Sequence, residues 1–263
     1  MIVSRRDEGL LMVRQVDHQH HCGLMAEAWG NREFGRPEPY RPLVDAATWH
    51  DEGWRSWEAA PEVNGSGRPI DFPDLDRTVH TELYRDCIGY ALSMGPRAGL
   101  LVSMHGQGLY ERRLGLDGPP PSRADRPPAV RRFLEDQEAL QARLRHDLGD
   151  VGIEPWAWAG YRLLQAWDLL SLYMLWKPLP AGEEGELPRV PRGVGDDEGV
   201  TIRLHADGPA SCVCDPFPFA MDEVALPVAA RVIPDRAYRS DDELRRALAN
   251  AEWMTLECVA RRA

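Results

Sequence analysis

The sequence is almost without lysine: of its 31 basic residues only Lys177 is one, and the rest are arginine. Lysine is thereby removed from the list of catalytic amines. Basic residues as a class are also outnumbered, 31 to 42, for a formal net charge of −11. Such a surface opposes binding along a phosphate backbone, where affinity comes from cationic side chains. A long apolar run is missing as well. The most apolar stretch, LLQAWDLLSLYMLW at residues 163–176, is too short to span a bilayer and holds Gln165 and Asp168. The opening residues, MIVSRRDEGL, lack the apolar segment of a secretory signal. The five cysteines are odd in number and irregularly spaced, which predicts reduced thiols in a cytoplasmic protein. Nucleic-acid and membrane partners are therefore not expected. A small anionic substrate is compatible with the charge, because a bound metal supplies positive charge locally. A homo-oligomer is also compatible.

What is present is enough for a packed core. The chain has 263 residues, 43% of them hydrophobic and 28% charged, which suits one large domain with a smaller appendage. Residues 2–6 and 10–14 alternate as a hairpin turning at Asp7-Glu8-Gly9. Helices are predicted from Asp17 to a stop at Gly30, over LVDAATWHDEGW after Pro42, over 76–93, from Pro96 through GLLVSMHGQGLY, over 129–148, and from Pro155 to before Pro178. Residues 58–75 form a long loop, of a length that is more often functional than idle. LDGPPPSRADRPP reads as a second loop or linker.

Composition then changes. Residues 179–198 read as a Gly-, Glu- and Pro-rich linker. Residues 199–263 hold strand-like runs (VTIRL, ASCVC, EVALPVAARVI, MTLECVA) and one short helix capped by Ser240, with Glu243 in capping-box position. The expected architecture is a mainly α helical bundle over 1–178. A small C-terminal α+β appendage would carry an antiparallel sheet that the N-terminal hairpin can join.

The chemistry-bearing feature is the doublet His50-Asp51. Adjacent helical residues point about 100° apart, so the pair can serve one site only at a helix end or around a metal pair. An Asp carboxylate can bridge two cations while the neighbouring His completes one of them. His18 lies on the preceding predicted helix, and His80 and His105 lie on the two following ones. Asp168 sits within an apolar helix, where a carboxylate is costly unless paired, hydrogen-bonded or metal-bound. Gln165 and Ser171 add a polar patch around it.

This order of a His, a His-Asp doublet, two further His and a closing Asp, each on its own helix, resembles the HD superfamily of metal-dependent enzymes. VDHQHHCGLMAEAWG, HDEGWRSWE, LLVSMHG and QAWDLLSLY also resemble a bacterial family of unknown function near that superfamily. The resemblance covers roughly residues 14–176 and implies one or two divalent metals held by His18, His50, Asp51, His80, His105 and Asp168. His50 and Asp51 would stand at the catalytic centre, with Asp51 bridging. Imidazole-rich ligation suits Fe, Mn, Ni or Zn. Such a centre can activate water and clamp a phosphoryl oxygen. The function so implied is a metal-dependent hydrolase of a small phosphorylated molecule.

The alternatives are a mixed-valent di-iron oxygenase, whose ligand order is the same, and a non-catalytic metal- or ligand-binding protein. Oxygenation of inositol is disfavoured, because lysine is absent from the motif segments. Trp54, Glu58 and Gln165 are candidate substrate contacts, weighed against plain packing. His20 is expected to face solvent, and His21 to stand behind the ligands or replace His18. His146 reads as a solvated surface residue, His205 as one without ligand partners, and Cys212 and Cys214 as ordinary strand residues.

Overall fold

The hairpin at the start forms as expected. In the computed structural model, which describes residues 1–111, 122–149 and 151–263, β1 (Ile2–Arg6) pairs antiparallel with β2 (Gly9–Val13). Gly9 has φ +142°, and a side chain there would run into the Ile233 carbonyl. The helices follow the predicted order: α1 (Gln15–Ala28), α2 (Arg41–Trp49), α3 (Trp54–Glu58), α4 (Arg77–Met94), α5 (Pro96–Glu111), α6 (Pro128–Leu148) and α7 (Ile153–Leu175). Asp76 caps α4 by accepting from the Thr78 and Val79 amides. The second predicted helix is broken in two, and His50-Asp51 lies in the break. The LDGPPPSRADRPP expectation falls in part outside the described residues.

The sheet departs from expectation. Strands β3 (Glu184–Val190), β4 (Val200–Gly208), β5 (Ser211–Asp215), β6 (Glu223–Ile233) and β7 (Met254–Arg262) join the hairpin in one seven-stranded sheet, ordered β1-β2-β6-β7-β5-β4-β3. Neighbours run antiparallel except β5 and β7, which are parallel. α8 (Asp241–Asn250) connects β6 to β7, and Ser240 caps it through the Glu243 amide.

The fold is therefore α+β with a mixed sheet, and the reading of a mainly α bundle with a small antiparallel appendage is corrected. The physical reason is burial. Ile2 and Leu11 of the hairpin, Trp29 beyond α1, Trp167 of α7, Leu204 of β4 and Leu226 of β6 belong to one hydrophobic core. β3 lies inside the segment read as linker. It is an edge strand whose pairing with β4 shifts between Leu187 and Val190, and such an edge tolerates Pro188.

The two layers are joined at Trp29. Its indole is fully buried and meets Phe34, Trp167 and Phe219 edge-on, with ring centroids 5.6, 5.7 and 5.6 Å away. α1 packs on β6, and α7 on β3. The loop before α4 is stitched down by Asp71, which accepts from the Val3 amide (3.1 Å) and the Trp176 indole N–H (2.8 Å). Among the described residues, no helix is long and apolar enough to cross a membrane.

Candidate metal centre

α2 ends at Trp49, so the doublet leaves the helix and its two side chains are free to converge. A Cβ at Gly53 would collide with the backbone of Leu83 and Cys87, so the chain can press this turn directly onto α4. The His50 ring is fully buried, and its Nδ1 lies 2.9 Å from the Ala47 carbonyl, so Nδ1 carries the proton. Its Nε2 is then a bare lone pair. It is buried with no hydrogen-bond partner among the described residues. A buried acceptor left in that state is unusual and points to a cation.

Around that atom lie the other ligands. His50 Nε2 is 3.5 Å from Asp51 Oδ2. His18 Nε2, on α1, is 2.9 Å from Asp168 Oδ1, on α7. Two atoms that share an ion at about 2.1 Å, roughly 90–110° apart, lie about 3.0–3.4 Å from each other. The observed separations, 2.9 and 3.5 Å, lie just outside that range on either side, within the reach of a small shift on metal binding. His18, Cys22 and His50 also bring ligand atoms within 4.8 Å of one another, a group that could hold a metal ion. Cys22 follows His18 by one helical turn, a signal that the sequence carried and sequence reasoning missed.

Electrostatics favour the ligand-ready state at Asp168 and His105 but not at His18, where burial lowers the pKa and Cys22 and Asp168 outweigh it and raise it well above the usual value. Burial would raise the Asp168 pKa, but the bond from His18 and the charges of His105 and His50 outweigh it and bring the value down to about 2. Burial pushes His105 down to about 4 and His21 down to about 3. Metal binding requires a carboxylate and neutral imidazoles, so an ion entering here would displace the proton that His18 shares with Asp168.

Behind the ligands runs a hydrogen-bonded chain. Ser171 Oγ lies 2.7 Å from His18 Nδ1 and 2.7 Å from His21 Nδ1. If an ion took the His18 Nε2 lone pair in place of the proton shared with Asp168, Nδ1–H would donate to Ser171, whose hydroxyl proton would go to His21. His21 thus stands behind the centre and does not replace His18. Ser171→Ala should weaken divalent-metal affinity by about 10–100-fold with the circular dichroism spectrum unchanged. Calorimetric titration checks this, and unaltered affinity would show that the hydroxyl does not orient His18.

Asp51 Oδ1 receives the Tyr84 hydroxyl at 2.9 Å, and the Asp51 amide donates to Gln19 Oε1 at 2.8 Å. His105 approaches His50, with ring centroids 5.1 Å apart, and its Nδ1 is buried without a partner among the described residues. His80 lies farther off, beyond Tyr84, with its Nδ1 2.5 Å from the Tyr110 hydroxyl. The structure therefore pairs His18 with Asp168 and His50 with Asp51, sets His105 beside His50, and holds His80 against Tyr84 and Tyr110.

A cavity of about 70 Å³ opens on this cluster, lined by Asp51, Trp54, His80, His105, Gln165 and Asp168 among others, with Arg77 also reaching it. Trp54 and Gln165 thus stand where sequence reasoning expected. Glu58 does not line it. Its carboxylate accepts from the Gln15 and Val16 amides at 2.6 and 3.4 Å and so caps α1. Among the remaining histidines, His20 and His146 are exposed and His205 pairs with Glu184. Tyr84, Tyr110 and Arg77 were not legible as site residues, because nothing in their spacing marks a second wall.

Comparison with known proteins gives one positive finding. A family model described as "Protein of unknown function (DUF3891)" matches residues 1–235. The match runs from β1 through the end of β6, so it spans the helical layer and most of the sheet. No curated protein and no solved structure matches the chain, and nothing in these findings links it to the HD superfamily.

Proposed function

The chain belongs to the DUF3891 family; its activity must be argued from its own residues, and we propose a metal-dependent hydrolase of small phosphorylated molecules, built on one divalent transition-metal ion. The supporting observation is the His18–Cys22–His50 group, with Asp168 Oδ1 beside His18 Nε2, Asp51 Oδ2 beside His50 Nε2, and His50 Nε2 otherwise unused. The order of these ligands along the chain, which resembles the HD superfamily, agrees with it.

Asp51 would bind through Oδ2 alone, since Oδ1 is engaged by Tyr84. That favours one ion over a pair bridged by Asp51, and hydrolysis over mixed-valent di-iron oxygenation. A divalent ion held there supplies a Lewis acid that lowers the pKa of water and polarises a phosphoryl oxygen. The chain's own groups do the positioning. The cavity has space for about two water-sized groups, which suits a phosphoryl group and little more. Arg77 at its lining can face the anionic oxygens. The His80–Tyr110 pair, which also lines the cavity, can return a proton to the leaving oxygen. The net change is one water consumed, one ester P–O bond broken and one alcohol released, with no oxidant.

The test combines metal analysis with turnover of para-nitrophenyl phosphate after reconstitution with Fe, Mn, Ni or Zn. We expect about one ion per chain and metal-dependent release of nitrophenol. A protein that takes up none of the four metals sinks the metal centre. A mixed-valence paramagnetic signal with dioxygen uptake and no phosphatase turnover would transfer the reading to oxygenation.

A further inference from the structure

A second, far larger space adjoins the centre. A cleft of about 1040 Å³ lies between α7 and β3, lined by Trp158, Tyr161, Tyr173, Trp176, Leu172 and Leu204 among others. Its volume is that of a pocket for a drug-sized ligand. The two spaces are not independent. Gln165, Leu169, Leu172 and Trp176 line both. Their spacing of four, three and four residues puts them on one face of α7, so a single helical stripe walls the small cavity and continues as the wall of the cleft.

The junction carries a polar mark. Gln165 is only 6% exposed, and its Oε1 has no hydrogen-bond partner among the described residues. A buried acceptor without a donor costs stability unless a ligand supplies one. It stands between the phosphate-sized cavity and the aromatic cleft, where the bridging oxygen of an ester lying across both would be. Once that ester is cleaved, the alcohol's new O–H can donate to Gln165 Oε1.

We infer that the cleft holds the alcohol part of the substrate, and that this part is a flat aromatic group. The inference rests on the phosphohydrolase reading for the other half of the molecule. Four aromatic side chains supply stacking and edge contacts for a ring. The cleft's charged groups balance, with Arg162, Lys177 and Arg189 against Glu183, Glu184 and Glu186, so a neutral body is admitted without an unpaired charge. A short polyol phosphate would leave the cleft empty and gain nothing from it.

The test separates the two halves. Binding of 2-naphthol, which carries no phosphate, is measured by calorimetry on the full chain and on Leu172→Arg, Trp158→Ala and Asp51→Asn, with melting curves to confirm folding. Wild type and Asp51→Asn should bind it equally. Both cleft variants should bind at least about tenfold more weakly. Absence of binding to folded wild type, or undiminished binding in both folded cleft variants, overturns the assignment. In turnover, 2-naphthyl phosphate should exceed glycerol 3-phosphate in kcat/KM by about tenfold or more, and Leu172→Arg should abolish the difference. Equal values in wild type overturn it as well. Naphthol binding with neither ester cleaved supports the cleft and refutes the hydrolase reading alone.

Discussion

Asp51→Asn protein should purify folded and nearly free of metal. The substitution keeps the size of the side chain and removes its negative charge. Folding has little to lose, because the Asp51 amide still donates to Gln19, an amide oxygen can still accept from Tyr84, and His50 keeps its bond to Ala47. Metal binding has much to lose, because Oδ2 is the anionic ligand atom beside the His50 lone pair, 3.5 Å away. Occupancy should fall from about one ion per chain to below about a tenth, and phosphatase turnover with it. His146→Ala, exposed on α6, is the matched control and should keep full occupancy. Metal stoichiometry beside circular dichroism decides the matter. Full occupancy in folded Asp51→Asn would move the ion to His18, Cys22 and His50 without the carboxylate. Equal loss in both variants would mean that the centre has been misplaced.

The largest stability effect is expected from Trp29→Ala. The indole is fully buried where α1 ends, between Trp167 of α7 and Phe219 beside the sheet. Alanine removes contacts to both layers and leaves a cavity that rigid neighbours on three sides cannot fill. The loss should be about 3–5 kcal/mol, or a fall in Tm of roughly 6–20 °C for a chain of this size. Because helices and sheet share one core, ellipticity and tryptophan fluorescence should still melt together, only earlier. Two separate transitions would show that the sheet is an independent unit after all. A loss below about 1 kcal/mol would show that Trp29 does not join the layers.

Much of the helical layer was legible, because α4 and α6 carry clear end signals and apolar periodicity. The doublet was legible for a geometric reason: adjacent residues cannot share a site within a helix, and the helix does stop at Trp49. The sheet was not. β2 pairs with β6 across more than two hundred residues, and no local pattern encodes that choice. β3 reads as a linker because an edge strand can hold Gly185 and Pro188 where a central one cannot. At the site, His18, His50, Asp51 and Asp168 were readable as an ordered set. Cys22 was readable only from its one-turn offset. Glu58 looked like a substrate contact because it follows the doublet closely, whereas its carboxylate turns back to hold the first amides of α1.

The place of β7 in the sheet has a consequence for how the protein is made. Strands β1, β2 and β6 form one half and β5, β4 and β3 the other, and among the described residues β7 alone pairs with both halves. α1, bearing His18, leans on β6 of the first half, and α7, bearing Asp168, leans on β3 of the second. On the ribosome the two halves of the sheet therefore stay unpaired with each other until residues 254–262 have been added. The two ligands do not wait for that strand, because α1 packs directly on α7 and His18 meets Asp168 across that contact. A nascent chain stalled short of residue 254 should already take up the ion, while the edges of β5 and β6 that β7 will cover stay open to wrong partners.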